Sequence, residues 1–277
     1  MNNSNQAIKI WKNTSTLNGY DEGLQFTENK IEADIALLGS KAISLEQFPN
    51  LKGIFRAGIG KDNVPENEAL KNQILVRYPS KETIDIIFDE TAAFTCNLIF
   101  RMLYRSTGTL DPWHKADRYE ISKKVLLIIG TGNIGKRVLK SMETVMCVKT
   151  FDLLDNEIEE LQDLIPLADC ISIHIPKTNE NEAFFDKEKL RMMKDNSVII
   201  NTARAMIVDE NDLYTEISNG RLKAAFDVFW EEPYQGMLKE FYPNDFYMTP
   251  HIASTSIGFL EGCRKGLDEL IKEINNA

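Results

Sequence analysis

The sequence contains no hydrophobic run long enough to cross a membrane and no apolar segment near its start. The first residues, MNNSNQAIKIWKN, are polar, whereas a secretory signal needs an apolar core of about 7–15 residues and a spanning helix needs about 20. These absences predict no membrane partner, and we expect a cytoplasmic protein. The sequence also contains no internal repeat and no low-complexity segment, so we expect disorder only at the two chain ends.

Cysteine is scarce, and basic residues are outnumbered. The four cysteines (Cys96, Cys147, Cys170 and Cys263) show no CxxC pair and no Cys/His ligand spacing. The sequence therefore predicts neither a disulfide framework nor a zinc site, and no metal is expected. The formal net charge is -10, and an acidic surface without a segregated basic patch repels phosphate backbones and anionic lipids. We therefore expect no nucleic-acid partner.

The length and hydrophobic content are sufficient for two domains, because 277 residues with 43% hydrophobic side chains exceed what one core usually organises. Short β-type apolar runs alternate with helical stretches, of which GKRVLKSMETVM (135–146), DKEKLRMMK (186–194) and DENDLYTEISNG (209–220) are examples. Strands separated by helices indicate parallel sheets built from βαβ units. The predicted fold class is therefore α/β with doubly wound parallel sheets. The apolar runs are 35–40, 53–58, 74–78, 125–130, 148–152, 170–176, 197–203, 224–229 and 246–251.

Residues 84–105 break this alternation. They include neither Pro nor Gly and are mostly apolar, which predicts one long helix linking two α/β units. The amphipathic segment 258–276 is expected to return to the first unit, so we place one domain at 1–105 plus 252–277 and the other at 106–251. Because apolar positions spread around much of the 84–105 helix, we also expect a homodimer.

The strongest local motif is GTGNIG (130–135), which stands between an apolar run and a helical pattern. In that context Gly130 permits a tight turn, Gly132 lets the backbone approach a pyrophosphate, and Gly135 allows close packing of helix on strand. Asp152 ends the next β-type run, where an acidic side chain would accept hydrogen bonds from an adenosine ribose and repel a 2′-phosphate. The motif therefore predicts NAD as the cofactor, in preference to NADP.

Four ionisable residues lie at or just beyond the carboxyl ends of the later predicted strands, where open α/β sheets bind their ligands. An Arg fork suits a carboxylate beside a carbonyl, and a His suits proton exchange near neutral pH. A Glu beside that His would orient it and favour its charged form. Together these are the groups that reduction of a 2-oxo acid requires. The four residues are Arg204, Asp227, Glu232 and His251.

With these motifs in order, the chain resembles the D-isomer-specific 2-hydroxyacid dehydrogenases, a family that includes phosphoglycerate, D-lactate and glyoxylate/hydroxypyruvate enzymes. The resemblance implies a Rossmann NAD-binding domain and a smaller flavodoxin-like substrate domain, which is shortened here between residues 11 and 35. It also implies hydride transfer between nicotinamide and C2 of a small anionic 2-hydroxy or 2-oxo acid. The motifs that carry it are RAGIGKDN (56–63), GTGNIG (130–135), HIPKT (174–178), TAR (202–204), DVFWEEP (227–233) and TPHIAS (249–254).

The resemblance implies roles for individual residues as well. Arg204 would bind the substrate carboxylate and carbonyl, His251 would be the acid and base, and Glu232 would be its partner. The substrate would also meet the loop formed by Arg56, Ala57, Gly58 and Ile59. The cofactor would be held by Gly130, Gly132, Asn133, Ile134, Gly135, Asp152, Thr202, Ala203 and Asp227.

Several points stay open at the level of sequence. Ala205 stands where the family usually has a glycine, which is tolerable at negative φ and strained at positive φ. Arg56 is either solvated or ion-paired, or it contacts an anionic substrate tail; Trp230 either packs or forms part of the site wall. His174 is expected to shape a loop rather than to transfer a proton. The alternative function is a non-catalytic NAD(H)-binding regulatory or scaffold protein on the same fold.

Overall fold

The computed structural model describes residues 7–276, which fold into two compact units. One unit comprises the described residues up to Ile87 together with those from Thr255 onward, and the other comprises Phe88–Ser254. Residues 1–6 and 277, the chain ends for which disorder was expected, lie outside the described residues.

The first unit is built on a parallel sheet. Its strands are β1 (Lys9–Lys12), β2 (Gln25–Phe26), β3 (Ile35–Leu38), β4 (Gly53–Arg56) and β5 (Leu75–Arg77), and helix α1 (Glu66–Lys71) precedes β5. The strand order is β2-β1-β3-β4-β5, which is the order of flavodoxin-like sheets. Between β1 and β3 the described chain has only the two-residue β2 and a 3-10 turn at Lys30–Glu32, so this part of the unit is short, as the sequence indicated.

Helix α2 (Lys81–Leu103) extends from the first unit into the second, and the division between the units falls inside it. Its early residue Ile87 lies in the core of the first unit, whereas its later apolar residues lie in the core of the second. The predicted boundary at 105/106 differs from this division. The sequence shows an uninterrupted helix, but it does not show at which residue the side chains pass from the core of the first unit to the core of the second. No large apolar side chain of this fully described helix is exposed. The later apolar residues are Ala92, Leu98, Ile99 and Met102.

After α2, the second unit continues with a small antiparallel hairpin of β6 (Gly108–Thr109) and β7 (His114–Lys115). Its parallel strands are β8 (Val125–Ile129), β9 (Cys147–Phe151), β10 (Cys170–Ile173), β11 (Val198–Asn201), β12 (Lys223–Phe226) and β13 (Phe246–Met248). Its helices are α3 (Asn133–Met142), α4 (Leu161–Leu164), α5 (Lys187–Met192) and α6 (Glu210–Ser218). The last helix, α7 (Ile257–Asn276), packs in the first unit, where it buries Phe259, Cys263, Leu267 and Leu270.

The sheet of the second unit has the order β13-β12-β11-β10-β8-β9. Successive strand residues point to opposite faces, so Leu127 and Ile129 enter one core while Leu126 and Ile128 enter the other. The chain leaves β8 towards β9 on one side and continues to β10 on the other, which puts the topological switch point at the carboxyl ends of β8 and β10. This is the edge at which the glycine motif lies.

No helix in the described part of the chain is both long and apolar enough to span a membrane.

Candidate active site

The glycine motif forms the turn between β8 and α3. Gly130 has a φ of 95°, in the left-handed region that glycine adopts without strain, and its N–H donates to the carbonyl of Phe151 on β9 at 2.8 Å. A Cβ at Gly135 would collide with the carbonyl oxygen of Gly130. The requirement for glycine at these two positions is therefore steric, as the sequence pattern predicted.

The first turn of α3 presents backbone N–H groups at the carboxyl edge of the sheet. The helix begins at Asn133, and its N-cap residue, Gly132, makes no side-chain cap. A Cβ added at Gly132 would meet no heavy atom of the described chain within 4 Å, so the space beside the turn is open. Open space at an uncapped helix N-terminus fits a pyrophosphate, which the N–H groups and the helix dipole attract.

Asp152 follows β9 and lies against this turn. One carboxylate oxygen accepts hydrogen bonds from the backbone N–H of Thr131 at 2.7 Å and from its hydroxyl at 3.1 Å, and the other accepts from the N–H of Leu154 at 3.1 Å. These bonds, above all the one from the Thr131 backbone, hold the pKa of Asp152 below its ordinary value. A carboxylate that stays charged fits ribose hydroxyls and opposes a 2′-phosphate, so these residues fit NAD.

His174 follows β10, on the other side of the switch point. Its backbone N–H donates to the carbonyl of Ile129 at 2.7 Å, and its ring Nε2 lies 2.8 Å from the hydroxyl of Ser172. Burial lowers the pKa of His174 to about 3, so the ring is neutral at physiological pH. This environment supports a loop-shaping role in preference to proton transfer.

Arg204 lies three residues beyond the end of β11, in a braced loop. The fully buried side chain of Asn201 accepts from the N–H of Ala203 and donates to the carbonyl of Arg204, each at 2.9 Å. The Nη1 of Arg204 donates to the carbonyl of Ala203 at 2.8 Å. Ala205 is not among the described residues with positive φ, so the chain accommodates alanine there without strain.

His251, in the loop after β13, is hydrogen-bonded to Glu232. Its Nδ1 lies 3.0 and 3.1 Å from the two carboxylate oxygens, and the two side chains are 35% and 25% exposed. Glu232 also accepts from the N–H of Phe229 at 3.2 Å, which helps to fix its carboxylate. Because Nδ1 faces Glu232, Nε2 is the ring nitrogen that can exchange a proton with a substrate oxygen.

Asp227 anchors the loop that carries this histidine. Its carboxylate accepts from the hydroxyl of Thr249 at 2.6 Å and from the N–H groups of Ile252 and Ala253 at 2.9 Å each. Burial raises the pKa of Asp227 above its ordinary value, and these hydrogen bonds offset only part of that rise. His251 has a φ of 53°, which is uncommon outside glycine, and the bonds to Asp227 hold the chain on both sides of it. Sequence reasoning placed Asp227 beside the nicotinamide and missed this second role.

Trp230 is held by packing. Its ring stacks on Phe226 with 5.7 Å between the ring centroids, and its Nε1 donates to the carbonyl of Val208 at 3.1 Å. Of the two interpretations left open by the sequence, the structure supports packing.

Within the first unit, Arg56 holds together the loop that follows β4. Its side chain is buried, and it donates to the carbonyl of Ala57 at 2.6 Å and to the carbonyl of Gly60 and the Oδ1 of Asn63 at 3.2 Å each. Asn63 in turn donates to the carbonyl of Gly39, after β3, at 2.7 Å. Arg56 is therefore not solvated. Contact of residues 56–59 with a substrate stays a prediction.

The described residues contain no group of three or more His, Cys, Asp or Glu side chains that is arranged to hold a metal ion. The four cysteines are free thiols.

Comparison with known proteins agrees with this architecture. Residues 102–253 match the family model described as D-isomer specific 2-hydroxyacid dehydrogenase, NAD binding domain. Hydroxypyruvate reductase from Thermotoga maritima is 31% identical over 260 residues, which cover 88% of this chain and 80% of that protein. Glyoxylate reductase from Pyrococcus horikoshii is 29% identical over 274 residues, which cover 87% of this chain and 78% of that protein.

Solved structures share the fold. The D-lactate dehydrogenase of Aquifex aeolicus, solved with NAD and lactic acid, has a TM-score of 0.76 at 23% identity and covers 96% of this chain and 95% of its own. The phosphoglycerate oxidoreductase of Vibrio cholerae has a TM-score of 0.80 at 18% identity and covers 98% and 99%. The predicted fold class, cofactor and enzyme class are thereby confirmed. Because the family model spans more than half of the chain and the relatives cover most of it, this protein belongs to the NAD-dependent D-isomer specific 2-hydroxyacid dehydrogenase family.

Proposed function

We propose that this protein moves a hydride between nicotinamide and C2 of a small anionic 2-oxo or 2-hydroxy acid, with Arg204, Glu232 and His251 as its catalytic residues. The observation that carries the proposal is the contact of His251 Nδ1 with Glu232 at 3.0 Å. The loops that hold this pair and Arg204 follow β11, β12 and β13, which are neighbours in one sheet. Open α/β sheets bind their ligands at this edge.

In the reductive direction, NADH held by the glycine turn and Asp152 would supply a hydride to the carbonyl carbon of the substrate. The guanidinium of Arg204 binds the substrate carboxylate and polarises the carbonyl oxygen. Protonated His251 donates its Nε2 proton to the same oxygen, while Glu232 stabilises the imidazolium at Nδ1. In the oxidative direction, neutral His251 takes the hydroxyl proton.

The remaining site residues divide between cofactor and substrate. The turn of Gly130, Gly132, Asn133, Ile134 and Gly135 would hold the pyrophosphate, and Asp152 would hold the adenosine ribose. The backbone of Thr202 and Ala203, with Asp227, would face the nicotinamide. The loop of Ala57, Gly58 and Ile59, kept in shape by Arg56, would bind the substrate carboxylate.

The direct test is NADH oxidation with glyoxylate, pyruvate, hydroxypyruvate, and branched and phosphorylated 2-oxo acids. We expect turnover with at least one of them, and Arg204→Gln should lower its kcat/KM by about a hundredfold or more while NADH still binds. NADH binding without turnover of any acid would instead favour the non-catalytic binding protein.

We propose in addition a cytoplasmic homodimer. The hairpin of β6 and β7 supports the dimer, because the loop between its strands exposes Leu110 and Trp113, which are 81% and 78% accessible. Large apolar side chains exposed on one hairpin fit a protein–protein interface. The cytoplasmic location is tested by fractionation of cells that express the protein.

A further inference from the structure

We infer that Thr95, on helix α2, is a positioning residue for Arg204. Thr95 lies in the second unit, its side chain is fully buried, and it belongs to none of the motifs that the sequence displays. The inference rests on the role proposed above for Arg204.

The hydroxyl of Thr95 has two partners. Its oxygen lies 2.7 Å from the carbonyl oxygen of Thr91, one helical turn earlier, and 2.8 Å from the hydroxyl oxygen of Thr202. A carbonyl can only accept, and a hydroxyl has a single proton. Thr95 therefore donates to Thr91, and Thr202 donates to Thr95. The hydroxyl proton of Thr202 is thus directed towards α2 and is not available to a ligand. Thr202 would therefore face a ligand through its backbone.

This contact completes a brace around the Arg204 loop. The side chain of Asn201 joins the N–H of Ala203 to the carbonyl of Arg204, and Thr95 holds the intervening Thr202 from the helix side. The loop is thus fixed both from its own strand and from α2. Because the guanidinium extends from this backbone, a small displacement of Thr202 changes where the guanidinium meets a carboxylate, and such misplacement reduces catalysis.

Simple packing of α2 on the sheet does not account for this hydroxyl. Ala92, Leu98 and Ile99 already bury the helix against the core of the second unit. A buried hydroxyl is costly unless it is hydrogen-bonded, so packing alone would favour an apolar side chain at this position. What the hydroxyl adds is an acceptor for Thr202.

The test is Thr95→Val, which keeps the shape and removes the hydroxyl, beside Thr95→Ser, which keeps the hydroxyl. We expect Thr95→Val to lower kcat/KM for the 2-oxo acid by about 3- to 10-fold, mainly through KM, and to raise the Kd for NADH by a smaller factor, because the backbone of Thr202 would also face the nicotinamide. Thr95→Ser should restore most of the loss. The matched control is Thr215→Val on α6, where an exposed threonine makes the same bond to a carbonyl one turn earlier, at 2.9 Å, and no change is expected.

A double-mutant cycle with Thr202→Val tests whether the two hydroxyls act through each other, because the double variant should then be no worse than the worse single variant. If Thr95→Val does not fold, Thr202→Val breaks the same bond from the other side. Unchanged kinetics in the variant that folds, an equal rise in the NADH Kd, or no rescue by Thr95→Ser would overturn the inference. Arg204→Gln separates the two proposals: if it keeps full activity, the proposed role of Arg204 fails, whatever Thr95→Val does.

Discussion

Among single residues, Glu232 is proposed to assist proton transfer through its contact with His251. Glu232→Gln keeps the size of the side chain and removes the negative charge that stabilises the imidazolium of His251. We expect reductive and oxidative kcat both to fall by about tenfold, because the amide orients the imidazole less firmly and does not stabilise its charged form. His251→Ala should instead slow both directions by about a hundredfold or more while NADH binding is kept. Unchanged kcat in Glu232→Gln, measured where chemistry is rate-limiting, would refute the pairing.

Asp152 should determine the choice between NAD and NADP. Asp152→Asn removes the charge but keeps an oxygen that can accept from the N–H of Thr131, so the turn should survive. Because the carboxylate of Asp152 is held in its charged form, we expect its loss to narrow the preference for NADH over NADPH by about tenfold. The measurement is the ratio of the two kcat/KM values. Equal use of both cofactors by the wild-type protein would contradict the assignment.

His174 should make the fold sensitive to acid. Its pKa is lowered to about 3 in the folded chain, whereas a free histidine titrates near about 6.5. Between these values the unfolded chain binds a proton that the folded chain does not, so stability is lost as the pH falls through this range. The wild-type protein should therefore lose unfolding free energy between about pH 7 and pH 5. In His174→Gln this loss should be smaller by about 1–2 kcal/mol. Urea unfolding at both pH values measures it, and the exposed His114→Gln is the control.

Among the structural elements, the loop after β13 is held by three hydrogen bonds to the carboxylate of Asp227. Asp227→Asn would turn an NH₂ group towards one of the N–H groups or the hydroxyl that the carboxylate now accepts from. Because the left-handed conformation of His251 relies on those bonds, we expect faster hydrogen exchange at residues 249–253 and a fall in kcat of about tenfold. Thr249→Val removes one bond only and should have a smaller effect. Unchanged exchange in Asp227→Asn would show that the loop is held by something else.

The sequence predicted the elements with strong local patterns and missed those without them. Apolar periodicity indicated the buried strands β8, β10 and β11 and the helices α2, α3 and α7. Strand β2 has two residues and β6 and β7 two each, which is too short for a pattern. Helix α1 has six residues, of which only Ala69 is buried, so it shows no apolar stripe.

For the whole molecule, the proposed dimer is tested at the β6–β7 hairpin. If the β6–β7 hairpin forms the interface, Trp113→Ser should shift the protein from dimer to monomer in light scattering at assay concentrations. Leu70→Ser, on α1, changes an equally exposed apolar residue, at 78%, and should leave the mass unchanged. A wild-type monomer would refute the dimer, and a Trp113→Ser dimer would place the interface elsewhere.

The sequence by itself determined the fold class, the cofactor motif and the candidate residues Arg204, Glu232 and His251, because apolar periodicity and short motifs are encoded by neighbouring residues. Only the tertiary structure decided which groups hold those residues in place. Asp227 reaches the N–H of Ala253 across 26 positions, and Thr95 reaches Thr202 across 107. Such contacts depend on how helices and strands pack. The sequence around a hydroxyl or carboxylate does not specify its hydrogen-bond partner when packing brings that partner from a distant part of the chain.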